Sequence, residues 1–415
     1  MILYFNPGHE TAVLNGSPYY TAPANVAAMQ RELAFLPAWY GSNGDIVLCE
    51  DMRQRDYLNF LCKQFPDLPR AIDKEELVNH EDMEVSVWGM SPQTIHYFEE
   101  LAEKYDIRLN SPMWDNEYLY LNSRQAARDC LSVLCKRMSD IPTDLMPQFY
   151  TSLDDIESAV NASCSQLLAK APYSSSGRGL LWLPVSGLTR TERQVLHGIL
   201  KKQGSVSVEK AVNKKVDFAM EFLCDGKGKV EFAGYSLFDT NAKGSYTFNY
   251  ILRQEEIEAK LTGDISSSLL YSVRKEMSSI LAELYASKYK GCIGVDMMIY
   301  EDGNEYKLHP CVEINMRYNM GYLSLKLREN YIIDSSRGRF YLDFYAKEGE
   351  VYRRHLEAEK RFPPVFRDGR IEEGYLSLCP ILEDSRYWAY VLIEKLPYST
   401  SSEFCANDGC SYGDV

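Results

Sequence analysis

The stretch HPCVEINMRYNMG, residues 309–321, reads as a buried strand that carries polar groups at regular intervals. Side chains two apart in a strand share a face. Glu313, Asn315 and Arg317 therefore line one face, and Val312, Ile314 and Met316 take the other. The apolar run IGVDMMIY at 293–300 precedes it across the turn EDGNE and carries Asp296. If these two strands are neighbours, Asp296 and Glu313 converge. Two carboxylates and an amide oxygen are hard ligands that suit Mg²⁺, which usually completes its shell with waters and substrate phosphates. Either carboxylate alone is more often a solvated or paired side chain. The combination, with Arg317 on the same face, implies a metal and a phosphate-bearing ligand nearby.

Working outward, LLAKAPYSSSGRGLLWL at 167–183 ends an apolar strand in Lys170 and enters a Ser/Gly loop. Lysine there can reach phosphates as a point charge. The backbone amides of Ser174, Ser175, Ser176, Gly177 and Gly179 can form an anion nest, although such a loop alone is usually a plain turn carrying a surface Arg178. The segment VSVEKAVNKKVDFAMEF at 206–222 ends a strand in Glu209 and Lys210 and crosses through Val212 to the next strand, where Asp217 follows. A connector of this kind offers backbone groups to an adenine edge, and Asp217 is a candidate for ribose hydroxyls. In FDTNAKGSYTFNY at 238–250, Lys243 sits in a Gly-containing connection, and taken alone it is a surface lysine.

In this order the pieces resemble the ATP-grasp superfamily of carboxylate ligases, over about residues 115 to 330. The local likeness is strongest to D-alanine–D-alanine ligases, in EKAV, FDTNAKGSY and GVDMM…VEIN, and the Glu-x-Asn-x-Arg ending is similar to biotin carboxylase relatives. The resemblance implies ATP between two α+β lobes, with Mg²⁺ (or Mn²⁺) bridging its phosphates. It implies that Asp296, Glu313 and Asn315 are metal ligands, Lys170 holds the α/β phosphates, and the SSSGRG loop covers the triphosphate. Glu209, Lys210 and Val212 would read adenine, Asp217 would hold ribose, and Lys243 would meet the γ-phosphate. Two positions depart from the pattern. Arg124 stands where the family usually has a lysine, and Gly294 stands where D-alanine–D-alanine ligases carry an arginine. Arginine still binds phosphate, as a fork, and Arg317 can supply the charge missing at Gly294. These departures argue against D-alanine–D-alanine ligase itself.

The 415 residues are too many for one small core. Strands alternating with helices over the first 110 residues predict a parallel sheet with covering helices. The expected architecture, α/β and α+β, is a Rossmann-like pre-ATP-grasp domain at 1–110, a small ATP-grasp lobe at 111–205, a central lobe with the metal site at 206–334, and a β-containing extension with a polar tail at 335–415. In the first domain the turn NPGHE follows the first strand, at the end where open α/β sheets bind ligands. Gly8 would allow close backbone approach there, and His9 and Glu10 could contact a substrate, although an ordinary Pro-Gly turn explains the same residues.

The net charge of −14 disfavours a nucleic-acid partner. The eleven cysteines include no C-x-x-C pair, which argues against structural zinc or a disulfide framework. The short apolar start has no basic region before it, and no apolar run reaches the length of a membrane span. The expectation is a soluble, cytoplasmic protein with small-molecule carboxylate and amine substrates. The resemblance implies an ATP-dependent carboxylate–amine ligase that forms an acyl phosphate from an amino acid or small peptide and releases ADP. Arg317, Lys243 and Arg124 would serve the transferred phosphoryl group. The rivals are a carboxylate–thiol ligase, a phosphotransferase of the same fold, and a degenerate nucleotide-binding module that regulates a partner. His309, the histidine nearest the metal face, is expected to be structural.

Overall fold

A computed structural model describes residues 1–174, 179–241 and 244–396. The first apolar runs form β1 (Ile2–Tyr4), β2 (Ile46–Leu48), β3 (Arg70–Ile72) and β4 (Val85–Val87). They pair in parallel in the order β3-β2-β1-β4. Every residue of β1 and β2 is buried, as a parallel sheet covered on both faces requires. The strand β3 escapes a sequence reading because it is three residues long and begins on an exposed arginine. The helix Pro92–Tyr105 announces itself with proline at its start and Ser91 accepting the Thr94 N–H.

A small antiparallel sheet follows, built from β5 (Gln148–Tyr150), β6 (Leu167–Lys170), β7 (Leu180–Leu183) and β8 (Val206–Lys210) in the order β5-β8-β6-β7. The helices Leu153–Ala162 and Arg190–Gln203 cover it. Thr189 and Glu192 close the second helix with a capping box. The lobe has its own apolar core of Ile156, Val160, Ala169, Leu183, Leu196, Val206 and Val208.

The remaining strands are β9 (Asn213–Asp225), β10 (Val230–Thr240), β11 (Tyr246–Ile251), β12 (Lys290–Asp302), β13 (Glu305–Asn315), β14 (Ser336–Phe344), β15 (Val365–Arg367), β16 (Arg370–Ser377) and β17 (Tyr387–Lys395). They form one nine-stranded antiparallel sheet in the order β13-β12-β9-β10-β11-β14-β17-β16-β15. Residues 336–395 therefore continue the central sheet rather than standing beside it. Two of their elements are weak signals in sequence. The strand β14 mixes Arg337, Arg339 and Asp343 with apolar residues and buries only Ser336 and Phe340. The helix Glu350–Arg361 is mostly charged.

These last strands clamp the first domain. Leu376, Leu378 and Val391 share one apolar core with Leu3, Phe5 and Trp39. The Trp39 indole N–H donates to the Leu378 carbonyl at 2.8 Å, and the Tyr57 hydroxyl donates to the Ser377 carbonyl at 2.7 Å. We predict that the chain cut after residue 335 loses cooperative unfolding, read by circular dichroism during urea titration. Leu376→Ala in the full chain, which leaves a cavity in this shared core, should lower stability by about 2–5 kcal/mol in the same measurement.

Candidate active site

The antiparallel pairing of β12 with β13 puts Asp296 directly opposite Glu313, and Gly294 opposite Asn315. Residues opposite one another in a ladder share a face, so the two carboxylates converge as the alternation of residues predicts. The Asn315 amide donates to Asp296 Oδ2 at 3.2 Å. The strand itself ends at Asn315, so Arg317 lies just beyond it. Its guanidinium still senses both carboxylates, while Nε donates to Glu10 Oε1 at 2.9 Å and Nη1 to the Tyr318 carbonyl at 3.2 Å. Burial, then the neighbouring Glu313 and Glu221, push the Asp296 carboxyl well above the usual carboxylate range, with Arg317 and Asn315 pulling the other way.

Arg124 reaches the same place from another element. It is the first residue of the helix Arg124–Arg137, which Ser123 caps by accepting the Gln125 N–H. The arginine is 9% exposed. Its Nε donates to the Ala171 carbonyl at 3.1 Å, and its Nη2 reaches Glu313 Oε2 at 3.1 Å and Ser174 Oγ at 3.4 Å. One fork thus ties Glu313 to the strand end of the small lobe. A lysine, with one nitrogen, has no such geometry.

Lys170 ends β6 fully buried and forms an ion pair with Glu209 of the neighbouring β8. His309 lies within electrostatic reach of both, and burial lowers it to about 4, so its ring is neutral at neutral pH. The Ser/Gly loop opens at Ser174 and closes at Gly179, whose φ of +83° favours glycine. The Gly179 carbonyl accepts the Ala171 N–H at 3.0 Å. Ser175, Ser176, Gly177 and Arg178 lie outside the described residues, as does Lys243. The neighbour Gly244 stands against Leu180, so the β10–β11 turn approaches the base of the loop.

The connector residues divide. Lys210 points to Asp144, with Nζ 2.8 Å from Oδ2, and Val212 packs on the central core. Asp217 lies opposite Met298, two residues along β12 from Asp296, and so shares a face with Asp296. It accepts from Lys214 Nζ at 2.5 Å and from Thr240 Oγ1 at 2.7 Å.

The turn NPGHE separates into three roles. Gly8 is needed because a Cβ there would stand 2.5 Å from Val26 Cγ1, so the close approach includes the protein's own chain. His9 is 2% exposed and packs against Gly89, which removes it from a substrate surface. Burial lowers it to about 4. Glu10 alone enters the site, through Arg317.

Sequence reasoning missed Glu221. This carboxyl is fully buried on β9 and accepts from Ser236 Oγ at 2.9 Å and Asn319 Nδ2 at 2.8 Å. Asn319 in turn caps the helix Met320–Tyr331 by accepting the Tyr322 N–H. The signal was present as a lone acid inside the apolar run FAMEF. The same cluster explains Gly294, because a Cβ there would lie 2.4 Å from Asn319 Nδ2 and 2.9 Å from Glu221 Oε2. Among the described residues, no group of three or more His, Cys, Asp or Glu is placed to hold a metal ion. Asp296, Glu313 and Asn315 offer two carboxylates and an amide, which suits a cation completing its shell with waters and phosphate oxygens.

No protein-family model matches the sequence, and no curated protein matches it. Solved structures do match. The biotin carboxylase of Campylobacter jejuni, in a β,γ-ATP complex, aligns over 95% of this chain and 88% of its own, at 10% identity and a TM-score of 0.54. The N5-carboxyaminoimidazole synthetase of Staphylococcus aureus, in complex with ADP, aligns over 95% and 92% at 10% identity and a TM-score of 0.47. The L-amino acid ligase of Bacillus licheniformis aligns over 85% and 93% at 15% identity and a TM-score of 0.44. The biotin carboxylase likeness shows the fold, which is the ATP-grasp fold. Among the described residues, no helix is long and apolar enough to cross a membrane.

Two predictions follow from the buried cluster. Gly294→Arg should destabilise the chain by about 1–3 kcal/mol through overpacking against Asn319 and Glu221, read by urea unfolding. Burial pushes the Glu221 carboxyl up to about 7. A carboxyl raised above its unfolded value stabilises the fold in acid and loses that contribution as pH rises toward 7. The stability of the wild type relative to Glu221→Gln should therefore fall by up to about 3 kcal/mol between pH 4.5 and 7.5.

Proposed function

We propose that the chain is an ATP- and Mg²⁺-dependent ligase that activates a carboxylate of an amino acid or small peptide and joins it to an amine, releasing ADP and phosphate. The observation that carries this reading is the register of β12 and β13. It sets Asp296 against Glu313 and beside Asn315, with the Arg124 and Arg317 guanidiniums brought to the same carboxylates. The ATP-grasp fold supports it by analogy, since the matching biotin carboxylase is a β,γ-ATP complex.

Mg²⁺ (or Mn²⁺) held by Asp296, Glu313 and Asn315 would supply charge neutralisation at the phosphate oxygens and polarise the transferred group. The chain's own residues do the rest. Lys170 is a buried cation whose ion pair with Glu209 can exchange for α/β phosphate oxygens. Arg124 can turn its fork from Glu313 toward the phosphates, and Asp217 offers a carboxylate to the ribose. Lys243 is assigned to the γ-phosphate from its place in the sequence. Phosphoryl transfer depends on positioning and charge stabilisation rather than on covalent help from the protein, so no Ser-His-Asp set is needed. Glu10 and Arg317 present opposite charges side by side, the complement of a zwitterion's ammonium and carboxylate. Thiols that are all free among the described residues suit a reducing cytoplasm.

A second reading draws on one observation. Arg124 already holds Glu313, so a metal must share that carboxylate, as a nucleotide-binding module without turnover would tolerate. One assay separates the two: ADP and phosphate release from Mg-ATP, with pools of amino acids and small carboxylates added. The ligase gives pool-dependent ADP, and Glu313→Gln lowers turnover by about 10²–10³-fold without unfolding the chain. Release of AMP, or nucleotide binding that no pool converts into turnover, defeats the ligase reading.

A further inference from the structure

A cleft of about 470 Å³ separates the first domain from the small lobe. We propose that it is a side-chain subsite that selects an amino-acid substrate with an apolar side chain, and that Gly198 sets its size. The inference rests on the ligase reading above and deepens it.

Leu14 and Glu10 of the helix His9–Asn15 line one wall, and Val195, Gly198 and Ile199 of the helix Arg190–Gln203 line the other, with Tyr173 between them. The volume lies in the range of small-molecule pockets, about 300–1,000 Å³. The cleft adjoins the candidate site, because Glu10 lines it and pairs with Arg317, and Ser174 lines it and accepts from Arg124. The backbone of Tyr173 is stitched to the small-lobe helix by both polar atoms of Gln203, at 2.9 Å and 3.1 Å, so this wall is held in place.

Two residues of this wall shape the cleft. Gly198 sits in the middle of a fourteen-residue helix, where glycine weakens the helix relative to alanine. Nothing in the protein demands it, since a Cβ there would meet no atom within 4 Å. Val195, three residues earlier on the same face, is 42% exposed although apolar. Both residues line the cleft, and both are accounted for by an occupant that is apolar and needs the space of the missing side chain. Glu10 and Lys202 also line the cleft, and Glu10 is engaged by Arg317, so the surface left around Gly198 is the apolar one of Leu14, Val195 and Ile199.

The test uses the full chain with Mg-ATP and reads phosphate release with L-leucine, L-methionine and L-phenylalanine against glycine, L-alanine, L-aspartate and L-lysine. The three large apolar amino acids should give KM values lower by about tenfold or more than glycine or alanine. Gly198→Leu should raise the KM for those three by a similar factor, with the KM for ATP as the control. Gly198→Ala should unfold at an equal or higher temperature than the wild type, which separates a filled cleft from a damaged helix. Stimulation confined to small or charged amino acids, or a Gly198→Leu variant with unchanged preference, overturns the subsite and leaves the ligase reading standing. Absence of stimulation by any amino acid overturns the subsite and the amino-acid reading together.

Discussion

Everything at this site depends on holding two carboxylates together inside a protein. Asp296 and Glu313 face each other across adjacent strands. Burial and the neighbouring Glu313 push the Asp296 carboxyl well above its ordinary range, so ionising both acids costs free energy unless cations lie close by. The fold meets this with Arg124 and Arg317, which come from a helix start and a strand end and carry positive charge to the same face. Each arginine is also committed elsewhere. Arg124 binds the small-lobe strand end through Ala171, and Arg317 binds the first domain through Glu10. The neutralisation of one pair of acids thereby joins three parts of the chain.

The same pattern recurs along the site. Lys170 is paired with Glu209 and Asp217 with Lys214. In a chain of net charge −14, each of these charges is held by a partner of opposite sign on the same or a neighbouring strand. Ion pairs of this kind have an exchangeable character, since a phosphate group offers the same charge and more acceptor oxygens than a carboxylate. Glu221 has a different role. It is buried without a cation bonded to it, satisfied by Ser236 and Asn319, and it ties the central sheet to the helix start that follows Arg317. Glycines at 294 and 321 make room for it, because a Cβ at either position would meet its carboxylate within 3 Å.

The architecture gives the small lobe a separate position in this scheme. Its apolar core shares no residue with the two large cores. The first domain and the last strands, by contrast, share a core across residues more than 300 apart in sequence. A lobe with an independent core can shift relative to its neighbours without disturbing the sheet that carries Asp296 and Glu313.

The strands that carry the site, and the facing of their residues, follow from local alternation along the chain. Alternation at period two in GVDMM and VEIN predicts which side chains share a side, and a short turn between two such runs leaves little choice but an antiparallel pair. The helix starts at Ser91, Ser123 and Thr189 obey an equally local rule, since a cap bonds to residues two or three positions on. Only the tertiary structure decided that Glu10 meets Arg317 across 307 positions, that His9 is buried while its neighbour is not, and that residues 336–395 extend the central sheet. It also decided that Gly294 is empty because Asn319 and Glu221 fill the space. Periodicity reports which way a residue faces along its own element. What lies opposite depends on how distant elements pack, and no local spacing encodes it.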